Sequence, residues 1–382
     1  MFNSCQVDFE NQMNKLIKNE DYEALKQLMI QYLDEINEKM DKIDLNLRNI
    51  VIFGAGNTSE LYYEAFQKEK IDIKYFVDNS VKKQNTLFHG IKVVAPEKLL
   101  EVECPFVIIS SEVIQYSKQI KQQLHEMDIE YISFSEYIFA KYKEKIVEVI
   151  RVLDDNKSII VFCSLILGKI LDIPIDEEVY SPDQYFGIKE FMRYDFNEIF
   201  IDAGAYVGDS IETYLFKKVA TFKKIYAFEP SRKNFTALKK RRERLNSEWA
   251  LDEDKIKIVQ AGLGRENKRM TFCEDIAGGA SRFVEKGSNQ NDEVAVVYKL
   301  DDYLKGEAFT FLKADVEGFE MSILEGAKET IKKYRPKLAI CIYHKPTDFY
   351  EIPLYLKTLV PDYKFAIRHH SFSNNETVLY AW

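Results

Sequence analysis

From residue 8 to residue 48 apolar positions recur every three or four residues, in stretches such as MNKLIKNEDYEALKQLMIQYLDEINEKM, with no proline or glycine between them. This spacing predicts one or two amphipathic helices. The pattern then changes. NIVIFGAG reads as a buried strand and turn, TSELYYEAFQKE as a helix, IKYFVDNS and FVIISS as strands, EVIQYSKQIKQQLHEM as a helix and EYISFS as a strand. Continuous apolar strands alternating with helices predict a parallel sheet covered on both faces. Residues 136–196 mix helical spacing with DIPIDEEVYSPDQYFG, a connection marked by Pro, Gly and Tyr, and read as a helical bridge.

The alternation restarts at residue 197. Strands are expected at EIFIDAGA, KIYAFEP, KIKIVQAGL, TFLKADV, KLAICIYH, YKFAIRHH and ETVLYAW, with helices over 207–220, 231–247, 319–333 and 348–360. Only SFSNN joins the last two strands, too little chain for a crossover helix, so they should form an antiparallel hairpin at the sheet edge. The whole reads as an α/β chain in four parts: a helical segment (1–47), a Rossmann-like domain (48–135), the bridge (136–196) and a doubly wound, mostly parallel sheet with an antiparallel C-terminal edge strand (197–382). That last architecture resembles the class I methyltransferases.

Composition narrows the function. A chain of 382 residues, 46% hydrophobic and 30% charged, can build more than one core. A net charge of -9 argues against a nucleic-acid partner, and the basic run LKKRRER (238–244) reads as a solvated helix face. The apolar stretch SIIVFCSLILGKILDIPI is broken by Lys169 and Asp172 and is too short to span a bilayer. No secretory signal opens the chain. The five cysteines (Cys5, Cys104, Cys163, Cys273, Cys341) show no paired spacing, so neither a disulfide framework nor a zinc site is expected, and a reducing cytoplasm fits.

The candidate chemistry lies in FIDAGAYVGDS. Asp202 ends a strand, Gly204 and Gly208 let the backbone approach a ligand, and the next helix offers its free N–H groups. The order is D-x-G-x-x-x-G, not the G-x-G-x-x-G of dinucleotide folds. A carboxylate here would repel a pyrophosphate and attract an ammonium. The next strand ends in YAFEPS, placing Glu229 where it can accept both hydroxyls of a ribose. A ribose, a cationic amino-acid end and no phosphate describe S-adenosylmethionine.

FIDAGAYVGDS, YAFEPS, FLKADVEGFEMSILEGA and KLAICIYHKPTDFYEIP together resemble the FkbM-type family of S-adenosylmethionine-dependent O-methyltransferases, over about residues 180–382. The resemblance implies methylation of a hydroxyl, often of a carbohydrate. It implies a cofactor site at Asp202, Gly204, Gly208 and Asp209, with Glu229 and Pro230 at the ribose. The family's D-V-E-G falls on Asp315, Val316, Glu317 and Gly318.

Ligands of open parallel sheets sit beyond the carboxyl ends of the strands. That selects Asp315, Glu317, Tyr343 and His344. His344 is expected as the base that takes the acceptor proton, with Asp315 and Glu317 holding acceptor hydroxyls or orienting the imidazole. A metal held by these residues is the weaker alternative, since no spacing demands one. Arg368 and His369 are lesser acceptor-side candidates. The loop AGGASRF (277–283) reads as a plain hairpin turn; the alternative is a loop that closes over the acceptor, with Ser281 as a polar contact.

The earlier turn, FGAGNTSE, keeps Gly54 and Gly56 but has Ser59 at the third glycine position; Asp78 follows at ribose-acid distance. FVDNS, FHGIKVVAPEKL and FVIISS loosely resemble the N-terminal domain of sugar-nucleotide acetyltransferases over about residues 48–135. This implies a nucleotide or nucleotide-sugar at Gly54, Gly56 and Asp78; the alternative is a scaffold with no ligand. A nicotinamide-dependent sugar oxidoreductase or epimerase centred on this turn would want a Tyr-x-x-x-Lys pair, which Tyr63 and Lys68 miss. A non-catalytic nucleotide-sugar-binding module is the third reading, opposed by the acids and glycines of 202–229. The number of copies in the assembly is not legible.

Overall fold

The structure, a computed structural model, describes residues 2–273, 282–284 and 293–382. The chain forms two compact units: Met1–Tyr180 with Lys345–Tyr350 and Ser371–Asn375, and Ser181–His344 with Glu351–His370 and Glu376–Trp382. The stretch expected as a bridge divides between them after Tyr180.

In the first unit, α1 (Phe2–Lys18) and α2 (Tyr22–Met40) occupy the periodic N-terminal segment, and Asp21 caps α2 by accepting the Ala24 N–H at 3.0 Å. There follow β1 (Asn49–Phe53), α3 (Asn57–Lys68), β2 (Ile73–Val77), β3 (Leu87–Phe88), β4 (Ile91–Val94), β5 (Pro105–Ile109), α4 (Ile114–Glu126), β6 (Tyr131–Ser133), α5 (Phe134–Lys141), α6 (Lys143–Val152) and α7 (Asn156–Leu171). The sheet order is β3-β4-β2-β1-β5-β6, and β1 runs parallel to both neighbours. The β3–β4 hairpin is absent from the sequence reading: its strands are too short to show a period, and its turn is made by His89 and Gly90 at φ of 51° and 79°. Helix α7 is apolar all round because it is interior, with every residue from Ile160 to Leu171 buried. Among the described residues no helix is long and apolar enough to cross a membrane.

The second unit comprises β7 (Ile199–Ala203), α8 (Asp209–Lys218), β8 (Lys224–Phe228), α9 (Arg232–Glu248), β9 (Ile256–Val259), β10 (Gly262–Gly264), β11 (Lys268–Cys273), β12 (Arg282–Val284), β13 (Glu293–Lys299), α10 (Leu300–Leu304), β14 (Phe311–Ala314), α11 (Glu320–Gly326), α12 (Lys328–Tyr334), β15 (Lys337–Cys341), α13 (Asp348–Leu359), β16 (Phe365–His369) and β17 (Thr377–Ala381). Its main sheet has the order β16-β17-β15-β14-β7-β8-β9 and is parallel except for β17, the topology of class I methyltransferases. The expected hairpin is there, but the C-terminal strand is not the edge: β17 lies between β15 and β16. It pairs antiparallel with both, Leu379 standing opposite Ile340 on one side and Ile367 on the other.

Two further departures have local causes. The helix expected over 319–333 breaks at Ala327, beside Gly326. There a Cβ would lie 2.0 Å from the Gly264 carbonyl oxygen, so the glycine serves a close backbone contact at the expense of helix continuity. A small sheet, β10-β13-β11-β12, fills a stretch read without strands. The turn expected at 277–283, with Ser281, lies outside the described residues except for Arg282 and Phe283. At the centre of the main sheet, Phe200 of β7 stacks on Phe311 of β14 and on Tyr214 of α8, each at 4.7 Å between ring centroids. This packing anchors the two strands whose carboxyl ends build the site.

Candidate active site

The end of β7 is organised by a buried ion pair. Asp202 is fully buried; its Oδ2 accepts the Ser210 hydroxyl at 2.6 Å and its Oδ1 lies 3.1 Å from Lys313 Nζ. Lys313, from the adjacent β14, also donates to the Gly204 carbonyl at 2.6 Å. Burial alone would strip the ammonium of its proton, but Asp202 and Asp315 outweigh it and keep Lys313 charged. Asp202 is thus not free to receive a ligand ammonium: its charge is already met by Lys313. Its part is to fix the turn.

The glycines also differ in role from expectation. Gly204 (φ 74°) lines the cleft, yet a Cβ there would lie 1.9 Å from the Asp315 carbonyl oxygen. Gly208 (φ 85°) caps α8, and its Cβ would meet the Leu238 side chain at 2.8 Å. Both approaches are to protein, not to ligand space. The turn between them presents Tyr206 (φ 48°), whose N–H donates to Glu229 Oε2 at 2.9 Å.

Glu229 follows β8 and accepts the Ser231 N–H through Oε1, also at 2.9 Å. Each carboxylate oxygen thus has one backbone donor, and the Asn234 side chain adds a third hydrogen bond to the carboxylate. Burial pushes its pKa up to about 7 against those donors. The cleft holds about 300 Å³, and Asp209, Pro230 and Asn234 line it with Glu229.

The first unit repeats this device. Asp78, after β2, accepts the Ala55 N–H through Oδ2 at 3.0 Å and the Ser80 N–H through Oδ1 at 2.8 Å. Gly54, Gly56 and Asp78 therefore come together as expected. Here, however, Lys83 Nζ sits 3.0 Å from Asp78 Oδ2 and closes against Gly56, so the position open on Glu229 is covered by a lysine.

The opposite wall of the second unit's cleft is acidic. Asp315 accepts the hydroxyls of Tyr185 (2.7 Å) and Tyr343 (3.2 Å). Burial raises its proton affinity, but Lys313 and His344 outweigh this and hold the carboxyl below its usual range. Glu317 and Glu376 also line the cleft, and Glu317 adopts a left-handed φ of 54°. Burial lifts Glu317 to about 7, opposed by His344 and reinforced by Asp315.

His344 does not line the cleft. It is buried behind Asp315 and Glu317, with Nε2 at 3.6 and 3.5 Å from their carboxylates and Nδ1 at 2.9 Å from Glu320 Oε1. Burial disfavours its charge, but the three carboxylates push its pKa up to about 10. Outside the cleft, and among three carboxylates that favour its protonated form, His344 is not placed as the expected base would be. Arg368 and His369 are also set apart from the cleft; His369 is fully buried, with Nδ1 2.9 Å from Thr377 Oγ1.

The sequence reading passed over Lys313, Tyr185, Glu320 and Glu376. Lys313 stands inside the quoted FLKADV, where a charge at an inward strand position was the available signal. Tyr185 sits in the connection before β7, where no period marks it.

Residues 202–367 match the family model described as Methyltransferase FkbM domain, and residues 46–133 match one described as C2185-like, N-terminal. The crystal structure of methyltransferase FkbM from Methylobacillus flagellatus KT is similar with a TM-score of 0.55 and 19% identity, over 97% of this chain and 99% of that one. An rRNA methylase from Streptococcus thermophilus matches with a TM-score of 0.34 and 16% identity, over 52% of this chain and 96% of that one. No curated protein matches. Fold and family model define a class I S-adenosylmethionine-dependent methyltransferase. The match to the FkbM domain falls within its methyltransferase sheet.

Proposed function

We propose that the chain methylates a hydroxyl of a carbohydrate in the cleft between Glu229 and Glu317. Glu229 carries the reading. Its two oxygens are each tethered by a backbone N–H and the residue lines the cleft, which suits the paired hydroxyls of a ribose, while its charge would repel a phosphate. S-adenosylmethionine supplies a methyl group made electrophilic by its sulfonium. The chain's residues bind and align. Glu229 accepts the ribose hydroxyls, and the turn from Gly204 to Asp209 forms the adjoining wall.

Across the cleft, Asp315 is fixed by Tyr185 and Tyr343 and accepts a hydroxyl of the acceptor. Glu317, the more exposed carboxylate of the pair, receives the proton of the reacting hydroxyl. In that step the oxygen–carbon bond forms, the carbon–sulfur bond breaks with its electrons passing to sulfur, and the proton goes to Glu317. Carboxylates and tyrosine hydroxyls are the groups that grip sugar hydroxyls, which supports a carbohydrate acceptor.

The test is label transfer from S-adenosylmethionine to a panel of glycans and free sugars, with calorimetry of the demethylated cofactor product. Glu229→Ala should weaken cofactor binding at least tenfold. Methyl transfer to a nitrogen or carbon acceptor, with none to any hydroxyl, would overturn the carbohydrate reading.

A further inference from the structure

Asp315, Glu320 and His344 each place a ligand-type atom such that all three lie within 4.8 Å of one another. Glu320 is fully buried and His344 is 6% exposed. Neither ring nitrogen of His344, nor Glu320 Oε2, makes a well-aligned hydrogen bond among the described residues, even though Nδ1 and Glu320 Oε1 are only 2.9 Å apart. Buried polar atoms normally have partners, and an unpartnered carboxylate oxygen in the interior is among the costlier exceptions. The charges point the same way. Asp315, Glu317 and Glu320 all face one imidazole, and the nearby cation, Lys313, is shared between Asp202, 3.1 Å away, and Asp315.

A single change meets both deficits. Two carboxylate oxygens and an imidazole nitrogen form a mixed donor set that suits Mn²⁺, Fe²⁺ or Zn²⁺ and includes no thiolate. Bonds of about 2.0–2.2 Å would set neighbouring ligand atoms roughly 3 Å apart and opposite ones a little over 4 Å, within the spread of this cluster. We propose that Asp315, Glu320 and His344 form a site for a divalent transition-metal cation behind the acidic wall of the cleft. The cation takes the place of the ring proton among the same carboxylates. Glu317, 3.5 Å from the imidazole, completes the charge balance from the cleft side. Binding at this site does not depend on the proposed reaction. The cation's role does rest on it: bound behind the cleft wall, it would hold Asp315 in the orientation that accepts the acceptor hydroxyl.

The full-length protein, stripped with a chelator and desalted, is titrated with Mn²⁺ alone while free Mn²⁺ is followed by electron paramagnetic resonance. One equivalent should be taken up, displaced by Zn²⁺, with a rise in melting temperature. His344→Gln and Glu320→Gln should each weaken uptake tenfold or more, whereas Glu212→Gln, an acid of α8 outside the cluster, should not. If Glu320→Gln fails to fold, Asp315→Asn takes its place, since Asp315 faces the cleft. No uptake, or uptake unchanged in both cluster variants, overturns the site. Calorimetry of S-adenosylhomocysteine on the same stripped sample reports on the cofactor pocket separately, so failure of the metal site and failure of the methyltransferase reading give different results.

Discussion

The backbone N–H of Tyr206 reaches Glu229 Oε2 at 2.9 Å, tying the turn after β7 to the end of β8. The carboxylate therefore shapes the cofactor wall before any ligand arrives, and its burial makes it titrate near neutrality.

A pH dependence follows. Burial lifts Glu229 from 4.5 to about 7, so the ionised form that accepts ribose hydroxyls is lost as pH falls through 7. S-adenosylhomocysteine affinity, measured by calorimetry from pH 5.5 to 8.5, should weaken by up to about tenfold per pH unit below 7. Glu229→Gln should bind weakly and show no such limb. The sign for stability is opposite to that of a paired acid. The folded state holds this proton more tightly than the unfolded chain, so the ligand-free protein loses on the order of 2–3 kcal/mol from this group between about pH 4.5 and 7. Denaturant titrations at the two ends of that window measure it.

Gly204 and Gly208 should not tolerate substitution equally. Both have positive φ, but a methyl at 204 strikes the Asp315 backbone at 1.9 Å, whereas one at 208 meets the end of the flexible Leu238 side chain. Gly208→Ala is expected to cost roughly 1–3 kcal/mol. Gly204→Ala should cost more, about 4 kcal/mol or above, or fail to fold. Urea unfolding of both decides the order.

Lys313→Met removes the cation paired with Asp202 and leaves a buried carboxylate without that charge, at a cost of about 3–5 kcal/mol. Adding Asp202→Asn should recover a substantial part. A double-mutant cycle by denaturant unfolding measures the coupling; additive losses would mean that the pair is not interacting.

Tyr185→Phe deletes the 2.7 Å hydrogen bond to Asp315 Oδ2 without touching the cofactor wall. Acceptor kcat/KM should fall roughly tenfold while S-adenosylhomocysteine affinity is unchanged, as steady-state kinetics and calorimetry will show.

Much of the frame was legible in the chain because strand and helix periods differ and the strands are long enough to show theirs. FIDAGA, YAFEP and FLKADV lie where expected, and the acids after the last two, Glu229 and Asp315, line one cleft. What failed was partner choice. From sequence, Asp202 looks like a ligand for an ammonium, and only the parallel register that sets Lys313 beside Asp202 shows that the ammonium is the protein's own. His344 resembles a base until Glu320, from a helix eighteen or more residues away in sequence, is found against its ring. The place of β17 inside the sheet is set in the same way by its pairing with β15, which the short turn to β16 does not reveal.

The contact of Gly204 with the carbonyl of Asp315 joins two backbones, one from the wall bearing the cofactor acid and one from the wall bearing the acceptor acids. Donor and acceptor sides are therefore braced like the fixed jaws of a gauge. On the proposed reading, side chains at 317 or 376 change what is gripped, while the gap between the two walls is set by main chain. Selectivity for a new acceptor can drift through point substitutions in this cleft without the distance of transfer having to be rediscovered.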